Sequence, residues 1–188
     1  MDTIAENPVR SRFFVSHHKE KLAPVVRAEY INPFIESVKN LFNTLLNCEV
    51  KREEIALIRT LHPNLDIVAL IGFSGNFRGI VAMAFPVKTA LAMVSRIYDA
   101  EYVVVDSTVI DAVSEFVNIM AGGAQTILNG NMDKPGELSL PTVIRGNRFK
   151  LDYSSHTAWI EVPFSSELGE FMIRVTMNQN PLERGHRL

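Results

Sequence analysis

Residues 111 to 127 place the strongest constraint on the fold, because polar and apolar side chains repeat there on opposite faces of a helix. Asp111, Glu115 and Asn118 are separated by steps of four and three residues. At about 100° per residue, these steps bring the three side chains within roughly 60° of one another. The other face carries apolar residues at helical spacing, namely Val113, Val117, Met120, Ala124 and Ile127. We therefore predict a helix with its apolar stripe on a core and its narrow polar stripe facing solvent or a partner.

The flanking residues set the expected limits of this helix. Asp106 or Ser107 is a suitable N-cap, and Gly130 is a suitable C-terminal stop. The apolar residues 103 to 105 just before the cap form either part of a loop or a short strand.

Two glycines lie inside the predicted helix. Gly122 has the same azimuth as the polar stripe, where a missing side chain allows close approach either by a partner or by a packed helix. Gly122 and Gly123 each cost about 1 kcal/mol relative to alanine in a helix, which favours a bend or a loosened turn at this point.

The rest of the chain predicts two more helices and several strands. Asn32 followed by Pro33 indicates an N-cap and the first helical position, with the helix ending near Asn47. Pro86 opens a second helix that continues to about Tyr98. Short runs rich in Ile, Val and Leu predict strands at 54–59, 65–73, 142–145, 149–153, 158–163 and 169–177, with glycine-containing turns after 72. This order predicts an α+β fold in which helices pack on a mostly antiparallel sheet.

Composition limits the possible classes of protein. The formal net charge of −2 does not favour binding to nucleic acid, and no apolar run is long enough to span a bilayer. The single cysteine, Cys48, cannot form an internal disulfide, and the first residues lack the pattern of an export signal, so we expect a cytoplasmic protein. Residues 1–28 are predicted to form a flexible extension, residues 29–180 one domain, and residues 181–188 a frayed tail.

A longer motif connects the polar stripe to a known family. The pattern D-x3-E-x2-N-x22-P, formed by Asp111, Glu115, Asn118 and Pro141, resembles the signature of the CheC/CheX/FliY phosphatases of bacterial chemotaxis. INPFIESVKNLF at 31–42 and DIVALIGFSGNFRGIVAMAFP at 66–86 also resemble segments of CheX. The resemblance covers roughly residues 30 to 180.

The resemblance implies an activity and a partner. It implies hydrolysis of the aspartyl phosphate on a CheY-type response regulator, with Asn118 positioning the attacking water and Glu115 engaging a receiver lysine. Asp111 is expected to contact the rim of the partner or to fix the end of the helix, and Pro141 to fix the chain before the next strand. Mg²⁺ is expected on the receiver, with no metal or cofactor bound by this chain.

The resemblance also implies a homodimer formed by joining sheets. One alternative function stays open, in which the same helix docks a receiver or a flagellar switch component without accelerating hydrolysis. The sequence has no nucleophile elbow, metal-ligand cluster or dinucleotide fingerprint to support another class of enzyme.

Overall fold

A computed structural model describes residues 28–58, 66–75, 77–130, 136–146 and 159–179. Within these ranges the elements are α1 (Ala28–Leu45), β1 (Val50–Arg52), β2 (Ala56–Ile58), β3 (Ile67–Ser74), β4 (Phe77–Phe85), α2 (Val87–Tyr98), α3 (Ser107–Asn129), β5 (Glu137–Leu138), β6 (Thr142–Arg145), β7 (Trp159–Ser166) and β8 (Gly169–Gln179). Except for Ala28, the predicted N-terminal extension and C-terminal tail lie outside the described residues. The strand predicted at 149–153 also lies outside them.

The described strands form one antiparallel sheet, which confirms the predicted α+β class. Its order is β1-β7-β8-β4-β3-β5, with β2 also paired to β7 and β6 also paired to β3. The side chains of β3 and β4 alternate between the two faces of the sheet. On one face, the side chains of these two strands pack with buried residues of all three helices. The strand residues in this core include Ile71, Phe73, Val81, Met83 and Phe85. This shared core fixes α3 against the sheet.

The predicted start of α1 is wrong, because the helix begins at Ala28 and Pro33 lies inside it. A proline in the second turn removes only one backbone hydrogen bond, and tertiary contacts stabilise the preceding turn. The Tyr30 ring lies 4.9 Å from the Phe77 ring, measured between centroids, and Ile31 is buried. The predicted end near Asn47 is confirmed, since α1 ends at Leu45 and Asn47 has a positive φ of 46°.

Cys48 lies just after α1, and its side chain is buried. Burial raises the pKa of the Cys48 thiol, and the negative charge of Glu167 adds to the rise, while Arg96 opposes it. The reactive thiolate is therefore scarce in the folded protein. We expect alkylation of Cys48 by iodoacetamide at pH 8 to be at least about tenfold slower in native protein than in urea-unfolded protein. Equal rates under the two conditions would contradict the burial of this thiol.

Candidate functional site

The helix α3 carries the polar stripe, and its observed limits match those predicted. Asp106 is the N-cap, and its carboxylate oxygen Oδ1 accepts a hydrogen bond from the Val109 N–H at 3.0 Å. Gly130 is the C-cap, with a φ of 51°. Residues 103 to 105 are not a strand, and Val103 and Val104 are exposed. The helix therefore starts from a loop with an apolar surface.

The apolar face of α3 is buried as predicted, with one exception. Val113, Val117, Met120 and Ala124 belong to the core. Ile127 was predicted to face the core, but it is 46% exposed. It lies in the last turn of α3, where the neighbouring Leu128 packs against the core instead.

Glu115 and Asn118 form a hydrogen-bonded pair on the outer side of α3. The Asn118 amide Nδ2 donates to Glu115 Oε2 at 3.4 Å. Glu115 and Asp111 are exposed, and Asn118 is half-buried. The bond engages one N–H of the Asn118 amide, which leaves its second N–H and its carbonyl oxygen to orient a small molecule such as water. The predicted residues thus lie together on one accessible surface.

A groove continues this surface beyond Asp111. It has a volume of about 430 Å³ and is lined by Val105, Asp106, Ser107, Ile110, Asp111, Val143 and Arg145. Arg145 Nη1 donates to the Val105 carbonyl oxygen at 3.0 Å, which ties the end of β6 to the loop before α3. Sequence reasoning did not find Arg145 or Val143, because nothing local to β6 indicates a contact with residues 40 positions earlier.

Pro141 stands immediately before β6, as predicted from its position in the motif. The chain just ahead of it is fixed to β3 by two hydrogen bonds, from the Ser139 N–H to the Gly72 carbonyl and from the Gly72 N–H to Ser139 Oγ, both of 2.9 Å. Pro141 therefore lies between an anchored turn and the strand that ends at Arg145. Its role in the site stays a prediction.

The two glycines of α3 face different surroundings, and the helix runs without interruption through both. A Cβ atom at Gly123 would clash with Ser37 Oγ of α1 and lie 3.3 Å from Ser37 Cβ. A Cβ atom at Gly122 would meet only Leu138 Cδ1, at 4.0 Å. Gly123 is therefore the glycine that lets α1 and α3 pack closely, and Gly122 lies on the open side.

Two possible features are absent from the described part of the chain. No group of three or more His, Cys, Asp or Glu side chains there is arranged to hold a metal ion. No described helix has the length and apolar character needed to cross a bilayer. The expected placement of Mg²⁺ on the receiver, the homodimer and the cytoplasmic location stay predictions.

Similar folds occur among solved structures. A CheC-like superfamily protein from Shewanella sp. PV-4 is 26% identical and has a TM-score of 0.73, with 81% of this chain and 99% of that chain covered. The chemotaxis protein CheX from Vibrio vulnificus is 26% identical and has a TM-score of 0.72, with 80% and 100% covered. At 21% identity, a CheX–CheY–BeF3–Mg²⁺ complex from Borrelia burgdorferi shares the fold, with a TM-score of 0.63 and coverage of 81% and 100%.

Sequence comparison gives the family. Comparison with curated proteins gave no match. A family model described as chemotaxis phosphatase CheX matches residues 67–165, which is more than half of the chain and includes the whole motif from Asp111 to Pro141. The chain therefore belongs to the CheX family of chemotaxis phosphatases.

Proposed function

We propose that this protein hydrolyses the aspartyl phosphate of a CheY-type receiver domain. The observation that carries the proposal is the hydrogen-bonded pair of Glu115 and Asn118 on the accessible side of α3. The description of the matching family as a phosphatase supports it. So does the complex with CheY that the structurally similar CheX of Borrelia burgdorferi forms.

The reaction requires this chain mainly to position a water molecule. A phosphorylated receiver carries its own Mg²⁺ and its own leaving group, the aspartate carboxylate, so the missing element is a water held in line with the P–O bond. The Asn118 carboxamide can donate to that water or accept from it without changing its own protonation state. The water oxygen then bonds to phosphorus as the acyl P–O bond breaks, which yields inorganic phosphate and a free aspartate carboxylate. Both protons of the water leave with the phosphate, which releases one of them to solvent.

Glu115 is proposed to dock and orient the receiver. It lies one turn before Asn118 on the same face and is exposed, so its carboxylate can pair with the lysine beside the receiver's phosphoaspartate. Its Oε2 also accepts from the Asn118 amide, which holds the water-positioning group in place. Asp111, one turn earlier and also exposed, extends the acidic surface toward the rim of the partner.

The proposal is tested by the rate of phosphate release from a phosphorylated CheY-type receiver in the presence of Mg²⁺. The three samples contain no addition, the wild-type protein, or the double variant Glu115→Ala/Asn118→Ala. We expect acceleration by the wild type only. Binding of the receiver without acceleration would replace the proposal with a docking module, and equal acceleration by the double variant would move the active site elsewhere.

The substitution Glu115→Gln separates docking from chemistry. A glutamine side chain keeps an oxygen that can accept from Asn118 Nδ2, but it loses the charge that pairs with the receiver lysine. Hydrogen bonds to charged groups contribute about 1.5–3 kcal/mol, so we expect KM for the phosphorylated receiver to rise by roughly 10- to 100-fold while kcat changes little. Steady-state kinetics measure both constants, and Glu36→Gln on the exposed side of α1 is the matched control. A fall in kcat at unchanged KM would assign Glu115 to the chemical step.

A further inference from the structure

Three apolar side chains stand out by their exposure. Among the large hydrophobic residues in the described ranges, Leu140 is the most exposed at 88%, followed by Val103 at 70% and Val104 at 65%. Isolated exposed apolar residues are common on protein surfaces, but a group of them beside a polar site indicates a binding surface. Their positions relative to α3 therefore matter.

Val103 and Val104 lie at the N-terminal end of the polar stripe. They directly precede Val105, which lines the groove next to Asp111. The hydrogen bond from Arg145 to the Val105 carbonyl fixes the end of this loop against β6. The two exposed valines are thus presented by a segment that is held beside the site.

Leu140 lies along the side of the same stripe. The chain segment that contains β5 and β6 runs beside α3. Leu138 of β5 is close to Gly122, and Val143 of β6 lines the groove together with Asp111. Asp111 is the first residue of the stripe, and Gly122 lies on the same side of α3 about one turn beyond Asn118. Leu140 lies between Leu138 and Val143 in the chain, so we infer that it lies beside the part of α3 that carries Glu115 and Asn118.

We propose that Val103, Val104 and Leu140 form an apolar rim that docks the receiver around the Glu115–Asn118 pair. This inference rests on the proposed function for the identity of the partner. A complementary partner surface has a cation at its centre and apolar side chains around it, because the stripe presents the carboxylates of Asp111 and Glu115 inside the rim. A receiver face with a lysine beside its phosphoaspartate has that chemistry.

Other occupants fit the rim less well. A second copy of this chain docked through a two-fold axis would bring Asp111 and Glu115 against the same residues, and like charges would repel. An anionic lipid surface would meet the same two carboxylates. The charge pattern therefore favours a partner with a cationic centre.

The test measures the affinity for a CheY-type receiver held in its activated state by BeF3⁻ and Mg²⁺. The variants are Val103→Ser/Val104→Ser and Leu140→Ser. The matched control is Leu57→Ser, because Leu57 is 59% exposed but lies on β2, at the opposite edge of the sheet. We expect each rim variant to raise Kd at least about tenfold, because it replaces apolar side chains that the receiver would cover, and the control to leave Kd unchanged. Thermal unfolding checks that each variant is folded.

The outcomes separate this inference from the proposed phosphatase activity. Rim variants with the wild-type Kd would overturn the rim even if the wild type hydrolyses the acyl phosphate. If the rim variants bind the receiver more weakly but the wild type does not accelerate hydrolysis, the docking role of the rim is supported and the phosphatase activity is overturned. A wild type that binds no receiver overturns both. A change in sedimentation by the rim variants without a change in Kd would assign the rim to self-association and overturn the inference.

Discussion

The variant Asn118→Ala is expected to lower kcat for receiver dephosphorylation by about 100-fold or more while leaving the Kd for the activated receiver unchanged. Alanine removes both the N–H donor and the carbonyl acceptor that would hold the water in line with the P–O bond. Glu115 stays exposed on the same face and keeps its charge for docking. Loss in kcat alone is the signature of an interaction made only as the reaction proceeds.

Two further variants test whether the effect is specific to the Asn118 amide. Asn118→Gln keeps the amide but moves it outward by one methylene group, so we expect it to stay well below the wild-type kcat even though its hydrogen-bonding groups are intact. Asn43→Ala, an exposed asparagine near the end of α1, is the matched control and should leave kcat unchanged. Wild-type activity in Asn118→Ala would contradict the assignment of the water-positioning residue.

Alanine substitutions at the two neighbouring glycines are expected to change stability in opposite directions. At Gly123 the new Cβ would clash with Ser37 Oγ, and Ser37 is buried in the contact between α1 and α3. Overpacking of this kind costs about 1–3 kcal/mol, or more where the neighbour cannot move. The gain in helix propensity of about 1 kcal/mol offsets part of that cost, so the free energy of unfolding should fall by up to about 2 kcal/mol.

At Gly122 the propensity gain should dominate. Its Cβ would make only an ordinary contact with Leu138 Cδ1 at 4.0 Å, so we expect Gly122→Ala to raise the free energy of unfolding by up to about 1 kcal/mol. Denaturant titration measures both variants. The double variant Gly123→Ala/Ser37→Gly removes the clashing side chain and should be more stable than the sum of its single substitutions predicts. A destabilised Gly122→Ala together with an unaffected Gly123→Ala would contradict the observed packing of α1 on α3.

The sequence predicts α3 well because its determinants are local. Asp106, Gly130 and the spacing of the polar and apolar stripes all lie within or beside the helix. The predicted start of α1 is wrong because a contact distant in sequence, between Tyr30 and Phe77, stabilises a first helical turn before the start signal of Asn32 and Pro33. Local patterns are informative only where local interactions decide the structure.

The parts of the fold that sequence reasoning missed depend on distant pairing. The strands β1 and β5 have three and two residues and exist because they pair with β7 and β3. The groove beside Asp111 depends on the contact of Arg145 with Val105. The different packing of Gly122 and Gly123 depends on where Ser37 of α1 lies. None of these leaves a periodic signal in the sequence.

The proposed catalytic pair comes from a single turn of one helix, so its internal geometry is set by the helix and not by the assembly of distant segments. A shift of the sheet or of α1 would leave Glu115 and Asn118 at the same separation. Regulation of such a site would therefore act by exposing or covering it, and not by bringing its parts together. Any ligand or modification that switches the protein off while α3 stays folded should do so by blocking the approach of the partner.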